Sequence, residues 1–568
     1  MKQYLLALFI VFLFEACTTQ NFADLILLNG KVVTVDTNLP QAEAVAVSKD
    51  MILKVGNNDE IKRLAGPKTR IMDLEEHLTI PGLIDGHAHF MSLGYAKMNL
   101  ELAGAKNWND IVNRVADAVK QTKPGIWIIG RGWHQEKWQE IPGEHVEGYP
   151  VHDLLSRVAP NNPVYLTHAS GHAIVTNNAA MKLAGITKET PDPPGGTILR
   201  KPNSEPSGVF LENADNLIYS HYRQYLQDQP DSVKKINEIK AFELAVAACL
   251  QNGITGFHDA GASFAEIDFF KQMVDQNKLS IRLWVMIGAD NNQIHAHMPG
   301  YRLINYGDHR LTVRAIKRFM DGALGAHGAW LLEPYTDLPA STGLNTIDLN
   351  TLRETAGIAI ENDLQLCTHA IGDRGNRETL DIYESVFRQH PDQKDLRWRI
   401  EHAQHLHPDD VPRFARLGVV AAMQSVHATS DGPWVPKRLG PERSKQGAYI
   451  WRSLLESGAI IANGTDAPVE DINPFANFYA AVTRNLTHGG SFYPEQCMTR
   501  EEALQSYTFD AAYAAFEEDI KGSITAGKLA DIVVLSQDIL TIPVEKIPQT
   551  EILYTIVGGK ILYTQSMP

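Results

Sequence analysis

Eight short apolar runs of strand composition, separated by stretches with helical spacing, constrain this chain more than any other feature. They fall at 83–89, 254–259, 281–287, 313–319, 364–369, 398–402, 419–424 and 459–466. Strands alternating with helices pair in parallel, and eight such units close a (β/α)8 TIM barrel, an α/β fold whose site is built from the C-terminal strand ends. The gap after the first run is far longer than one helix needs, so it predicts an inserted cap at about 100–230. With 568 residues and 44% hydrophobic composition, the chain is long enough to bury such a core.

Both chain ends carry short β signals, with Asn29-Gly30-Lys31 and Gly558-Gly559-Lys560 at turns. Neither end can form a sheet with its own core, so 23–82 and 523–568 are expected to share one small β-sandwich flanking a barrel domain over 83–522. Ahead of them, Lys2 precedes an apolar run from Tyr4 to Phe14, of signal-peptide length. The segment Phe14-Glu15-Ala16-Cys17 then reads as a bacterial lipoprotein signal over 1–17, with Cys17 lipidated and the protein exported to the periplasm or cell surface. A simply cleaved signal is the alternative.

A net charge of -15 without long basic runs argues against nucleic acid and points to a small-molecule ligand, with the membrane reached only through the lipid anchor. A homo-oligomer is compatible with the sequence. Cys249, Cys367 and Cys497 are too widely spaced for a disulfide framework or a cysteine zinc motif, and read as buried thiols. The insertion is aromatic, with Trp127, Trp133 and Trp138 around Gly130-Arg131-Gly132, and with Tyr165, His168 and His172 further on. These side chains either fill a core or line a substrate cavity.

The chemistry is concentrated in Pro81-Gly82-Leu83-Ile84-Asp85-Gly86-His87-Ala88-His89. Alternate strand residues share a face, so His87 and His89 can converge on one ion. Four further residues stand at expected strand ends: Lys317, His369, His402 and Asp466. Each has an ordinary alternative as a satisfied core residue, an ion-pair partner or a helix cap. In one ring they read as a metal site.

On these ordered motifs the chain resembles the amidohydrolase superfamily, most closely its amidohydrolase-3 branch, which includes enzymes similar to N-substituted formamide deformylase. The resemblance implies a metal-dependent hydrolase of non-peptide C–N bonds, with His87, His89, Lys317, His369, His402 and Asp466 as ligands. It also implies a carbamylated Lys317 bridging two ions, with a site holding one ion as the alternative. Imidazole-rich ligation suits Zn²⁺, with Fe²⁺ or Mn²⁺ also compatible. Asp466 is the expected catalytic residue, a general base turned general acid. Two departures bear on substrate: Ala326-His327-Gly328 stands where the family commonly has Ser-Arg-Thr, and Ser425 replaces a proline after Gln424. Trp133, Trp138, His172, His427 and Arg484 are the candidate substrate contacts. The rival readings are a deaminase on the same scaffold, with Asp373 near the position of a proton shuttle, and a non-catalytic ligand-binding lipoprotein.

Overall fold

The computed structural model describes residues 22–135, 138–168, 173–325, 327–487 and 489–565. The segment 1–17 with Cys17, and His172, lie outside the described residues. The chain forms two compact units. One comprises residues up to His87, Leu250–Gly464 and residues from Asn473, and the other Ala88–Cys249 with Thr465–Ile472.

The first unit holds the barrel. Its strands are β1 (Leu83–Ala88), β2 (Ile254–Ala262), β3 (Arg282–Ile287), β4 (Leu311–Phe319), β5 (Gln365–Ala370), β6 (Arg399–His402), β7 (Val420–Met423) and β8 (Ile461–Asn463). They lie side by side in chain order from β1 to β8. The register sets Phe319 opposite His369 and His369 opposite Glu401, so chemistry-bearing residues of successive strands fall at one level. Every residue of β1, β3, β6, β7 and β8 is buried, as expected of parallel strands covered by helices. The first and last strands meet at Gly86, where a Cβ would stand 2.6 Å from the Asn463 carbonyl oxygen. Only glycine permits that approach.

Two sheets from the chain ends complete this unit. One contains Met51–Gly56, Ala44–Ser48, Ala23–Leu28 and Ala65–Asp73, and the other joins Lys560–Thr564, Ile552–Val557 and Ile532–Leu535 to Leu78–Pro81, Lys31–Val33 and Gln41–Ala42. Alternate residues Leu25 and Leu27, Val45 and Val47, and Ile532 and Val534 supply their common core. Gly558-Gly559 closes a true hairpin. Asn29-Gly30 does not: the strands on either side of it belong to different sheets, so this turn is a corner between layers rather than a hairpin loop.

The second unit is built on a six-stranded sheet ordered Gly196–Arg200, Pro206–Glu212, Ala173–Thr176, Val164–His168, Ile128–Trp133 and Leu100–Glu101. Both faces are buried. Val164, Leu166, Val175 and Val209 pack with helix Trp108–Gln121 on one side. The alternate residues Tyr165, Ile174 and Phe210 pack with helix Asn216–Gln227 on the other. Trp133 is fully buried in the first of these cores and donates from Nε1 to the Leu166 carbonyl, 2.9 Å. Trp138 lies in the same cluster, its ring 6.2 Å from that of Trp133. The tryptophans of the insertion thus take the core role among the two open to them. No helix among the described residues is long and apolar enough to cross a membrane.

Candidate metal centre

The C-terminal ends of the barrel strands carry the polar residues. His87 ends its stretch of β1 fully buried, and its Nδ1 makes a short hydrogen bond to Glu401, which is also fully buried. An anionic carboxylate on Nδ1 fixes the proton there, which makes Nε2 the lone-pair nitrogen, the form a metal ligand requires. Glu401 is itself clamped: it accepts from Arg399 Nε at 2.8 Å and Nη2 at 3.0 Å. Burial opposes ionisation of Glu401, but the Arg399 guanidinium and His87 outweigh it and hold the carboxyl well below the usual range. Arg399 also donates to the Gly86 carbonyl at 2.6 Å and reaches His258 Nδ1 at 3.1 Å. Burial, then the nearby Arg399, keeps His258 well below the usual histidine range.

His402 follows Glu401 directly, and both reach His87. The His402 ring centroid is 4.7 Å from that of His87 and 4.5 Å from that of His369. Strand alternation would send consecutive residues to opposite faces. His402 escapes it because its φ is 73°, a left-handed conformation costly for a residue with a Cβ. Its Nδ1 lies 2.7 Å from Gln424 Oε1 and donates to it, so Nε2 is again the ligand nitrogen. His427 sits behind, its Nδ1 3.0 Å from the Gln404 amide and its ring stacked at 6.2 Å from that of His402.

Lys317 is buried on β4, with its ammonium nitrogen 4.9 Å from the Phe319 ring centroid. His369 Nε2 stands 3.6 Å from Asp321 Oδ1. Asp321 accepts backbone N–H groups from Trp330, Ile371 and Gly372 at 2.8–2.9 Å, yet burial still pushes its carboxyl up to about 7. It ties the long loop after β4 to the end of β5. Asp373 is committed in the same manner, with Oδ1 accepting from the Leu332 and Arg374 amides. Such a carboxylate is a loop anchor. Cys367, two residues before His369, is fully buried, and burial pushes its thiol far above the usual range, as suits a core residue.

In the second unit, His89 Nε2 lies 3.2 Å from Asp466 Oδ1, and the His89 amide donates to the Ala467 carbonyl at 2.8 Å. Asp466 is also left-handed, with φ 57°. The chain enters this unit immediately after His87 and after Gly464, and those two residues are adjacent in the first unit: a Cβ on Gly464 would be 2.4 Å from the His87 amide nitrogen. Within this unit His89 and Asp466 thus offer an imidazole and a carboxylate able to share a metal ion. Imidazole and carboxylate donors with their tautomers fixed by buried partners fit a divalent transition metal.

The two loop departures are accommodated locally. His327 Nε2 pairs with Asp337 Oδ1 at 3.1 Å, and Arg438 binds Asp337 and the Gly325 carbonyl, so a guanidinium is present in this loop cluster from another segment. Ser425 exchanges hydrogen bonds with Asn463, joining β7 to β8. Arg484 is fully buried over the Trp451 ring and donates to the Phe492 and Tyr449 carbonyls, a structural engagement. Glu401, Arg399, Gln424 and Asp321 carry support for the site that motif reading assigned to none of them. The available signal was Arg399-x-Glu401, two opposite charges on one face of a short strand, which must be paired if buried.

A parallel barrel whose strand ends present histidines and a carboxylate for a divalent ion is the framework of the metal-dependent hydrolases of the amidohydrolase superfamily. The sequence pattern of the Amidohydrolase family matches residues 70–563, and the chain belongs to that family. It is 34% identical to the protein LONG AFTER FAR-RED 3 of Arabidopsis thaliana, over 95% of this chain and 92% of that one. It is 27% identical to the N-substituted formamide deformylase of Arthrobacter pascens, over 96% and 99%. A crystal structure of a metal-dependent hydrolase from Pyrococcus furiosus covers 91% of the chain at 25% identity, with TM-score 0.71, and is itself covered completely.

Proposed function

We propose that the protein hydrolyses a non-peptide C–N bond of a small molecule, an amide or an N-acyl or N-formyl compound. The observation that carries this reading is the pair of ligand histidines whose tautomers are set by dedicated buried partners, Glu401 for His87 and Gln424 for His402. The family relative that acts on N-substituted formamides supports the substrate class. A divalent ion, for which Zn²⁺ is the first choice on an imidazole-rich set and Fe²⁺ or Mn²⁺ the others, supplies acidified water and a polarised carbonyl when bound.

The chain's own residues do the rest. His87, His89, His369, His402 and Asp466 hold the ion or ions, while Glu401 and Arg399 keep His87 oriented. Asp466 takes a proton from the attacking water and returns it to the departing nitrogen, which could not leave as an anion. Lys317 cannot remain an ammonium beside a metal cation, and carbamylation would turn it into an anionic ligand. Two ions per chain by elemental analysis is then the expected content.

The direct test is Asp466→Asn, assayed on N-formyl, N-acetyl and cyclic amide compounds. Metal content should be retained and turnover should fall by about 10²–10⁴-fold. Full activity in that variant removes Asp466 from the reaction. Release of ammonia from aminated heterocycles, with no amine from N-acyl compounds, would favour the deaminase instead. Export with lipidation at Cys17 remains part of the proposal, and is tested by mass spectrometry of the N-terminus of membrane-extracted protein.

A further inference from the structure

At the opposite ends of the same barrel strands, the structure holds a cavity of about 590 Å³. Four of the six charged residues lining it are cationic, Lys49, Arg282, Arg310 and Lys560, against Asp50 and Asp308. That excess is notable in a chain of net charge -15. It arises where the start of β3 and the segment before β4 meet the hairpin at Gly558 and the turn at Lys49.

The two arginines differ in their partners. Arg282 is buried and makes a bidentate pair with Asp531, Nε at 2.6 Å and Nη2 at 2.9 Å. Arg310 donates from Nη1 to the Ser280 carbonyl at 2.6 Å, and among the described residues no carboxylate stands within 4.0 Å of its guanidinium. Burial lowers the Arg310 pKa, and the neighbouring Arg282 lowers it further. A Cβ on Gly558 would be 3.4 Å from Arg310 Nη2 and 3.5 Å from an Arg282 terminal nitrogen, so the two guanidiniums flank one glycine. Asp531 is already engaged by Arg282 and by the Gly558 amide, 2.9 Å. Two like charges are thus held together with Asp531 bound to one of them, and with Asp50 and Asp308 as the other acids near Arg310.

We propose that this cavity is a binding site for a small oxyanionic metabolite carrying at least two negative charges, a phosphate monoester or a dicarboxylate, held chiefly by Arg310 with Lys560 and Lys49. A fork of guanidinium donors suits both head groups, and the cavity exceeds the head group alone, leaving room for an organic body. The site is independent of the metal chemistry, because its residues lie at the other end of the strands.

Isothermal titration of the full chain with inorganic phosphate and with succinate tests this. Saturable binding of one anion per chain is expected, weakened by about tenfold or more in Arg310→Gln and also weakened in Lys560→Gln. Arg388→Gln, an exposed arginine on helix Asp373–Gln389, should leave it unchanged. Preference for phosphate or for succinate identifies the head group. The proposal is overturned if neither anion binds saturably, or if binding survives in both site variants, or if the Arg388 control weakens it equally. Should Arg310→Gln fail to fold, Lys560→Gln, an exposed position, decides alone.

Discussion

Two buried carboxylates of the same unit, Glu401 on β6 and Asp510 on helix Phe509–Ala514, have opposite fates. Glu401 is clamped by Arg399 and hydrogen-bonded to His87, and is held ionised. Asp510 has one neutral amide, Gln505 Nε2 at 2.9 Å, and burial pushes it up to about 6. Asp321 falls between them in kind, with three backbone dipoles but no cation, and burial still dominates. Of these three acids only the one to which a guanidinium is committed is held charged, and buried Asp531 beside Arg282 follows the same rule. For Glu401 that commitment stands next to the candidate metal centre.

Breaking the stronger case should cost most. Glu401→Ala leaves Arg399 buried without its counterion, which is expected to destabilise the fold by about 3–5 kcal/mol. It also removes the group that orients His87, so metal affinity should fall by about 10–100-fold. Denaturant unfolding and competitive metal titration measure the two effects separately. Unchanged metal affinity would show that His87 is positioned without Glu401.

The weaker case gives a pH signature. Asp510 holds its proton more tightly when folded, so its contribution is complete below the unfolded value of 3.8 and is lost as pH rises through about 6. Stability should decline over that window by about 3 kcal/mol at most. Asp510→Asn should flatten this part of the profile and raise the melting temperature at neutral pH. A profile identical to the parent would mean that the side chain finds a partner on ionisation.

The smallest effect sharpens the contrast between charged and neutral support of an imidazole. Gln424→Met removes the acceptor at His402 Nδ1 without exposing a charge. Metal affinity should fall by about tenfold, the low end of what outer-shell substitutions cost. A loss equal to that of Glu401→Ala would show that carboxylate charge adds nothing over a simple acceptor.

How much of this was legible beforehand depends on how local each cause is. Alternation along a strand is local, so the His87 and His89 pair and the eight strands could be read directly. The sheet change at Asn29-Gly30 could not, because a turn dipeptide does not specify which sheet the next strand joins. The inward turn of His402 was equally hidden, since periodicity assigns it the face opposite Glu401 and only its left-handed backbone brings both to His87. The core role of Trp133 and Trp138 needed three-dimensional packing to separate it from a pocket role. Charges on one face of β6 were visible as letters, but their partner, His87, lies 314 residues away from Glu401 in the chain.

The clamp of Arg399 on Glu401 and of Glu401 on His87 is made entirely of protein atoms. None of its bonds depends on a cation for a partner. A chain arranged in this way is expected to keep this corner of its interior in shape when stripped of metal, so that loading becomes a question of supply.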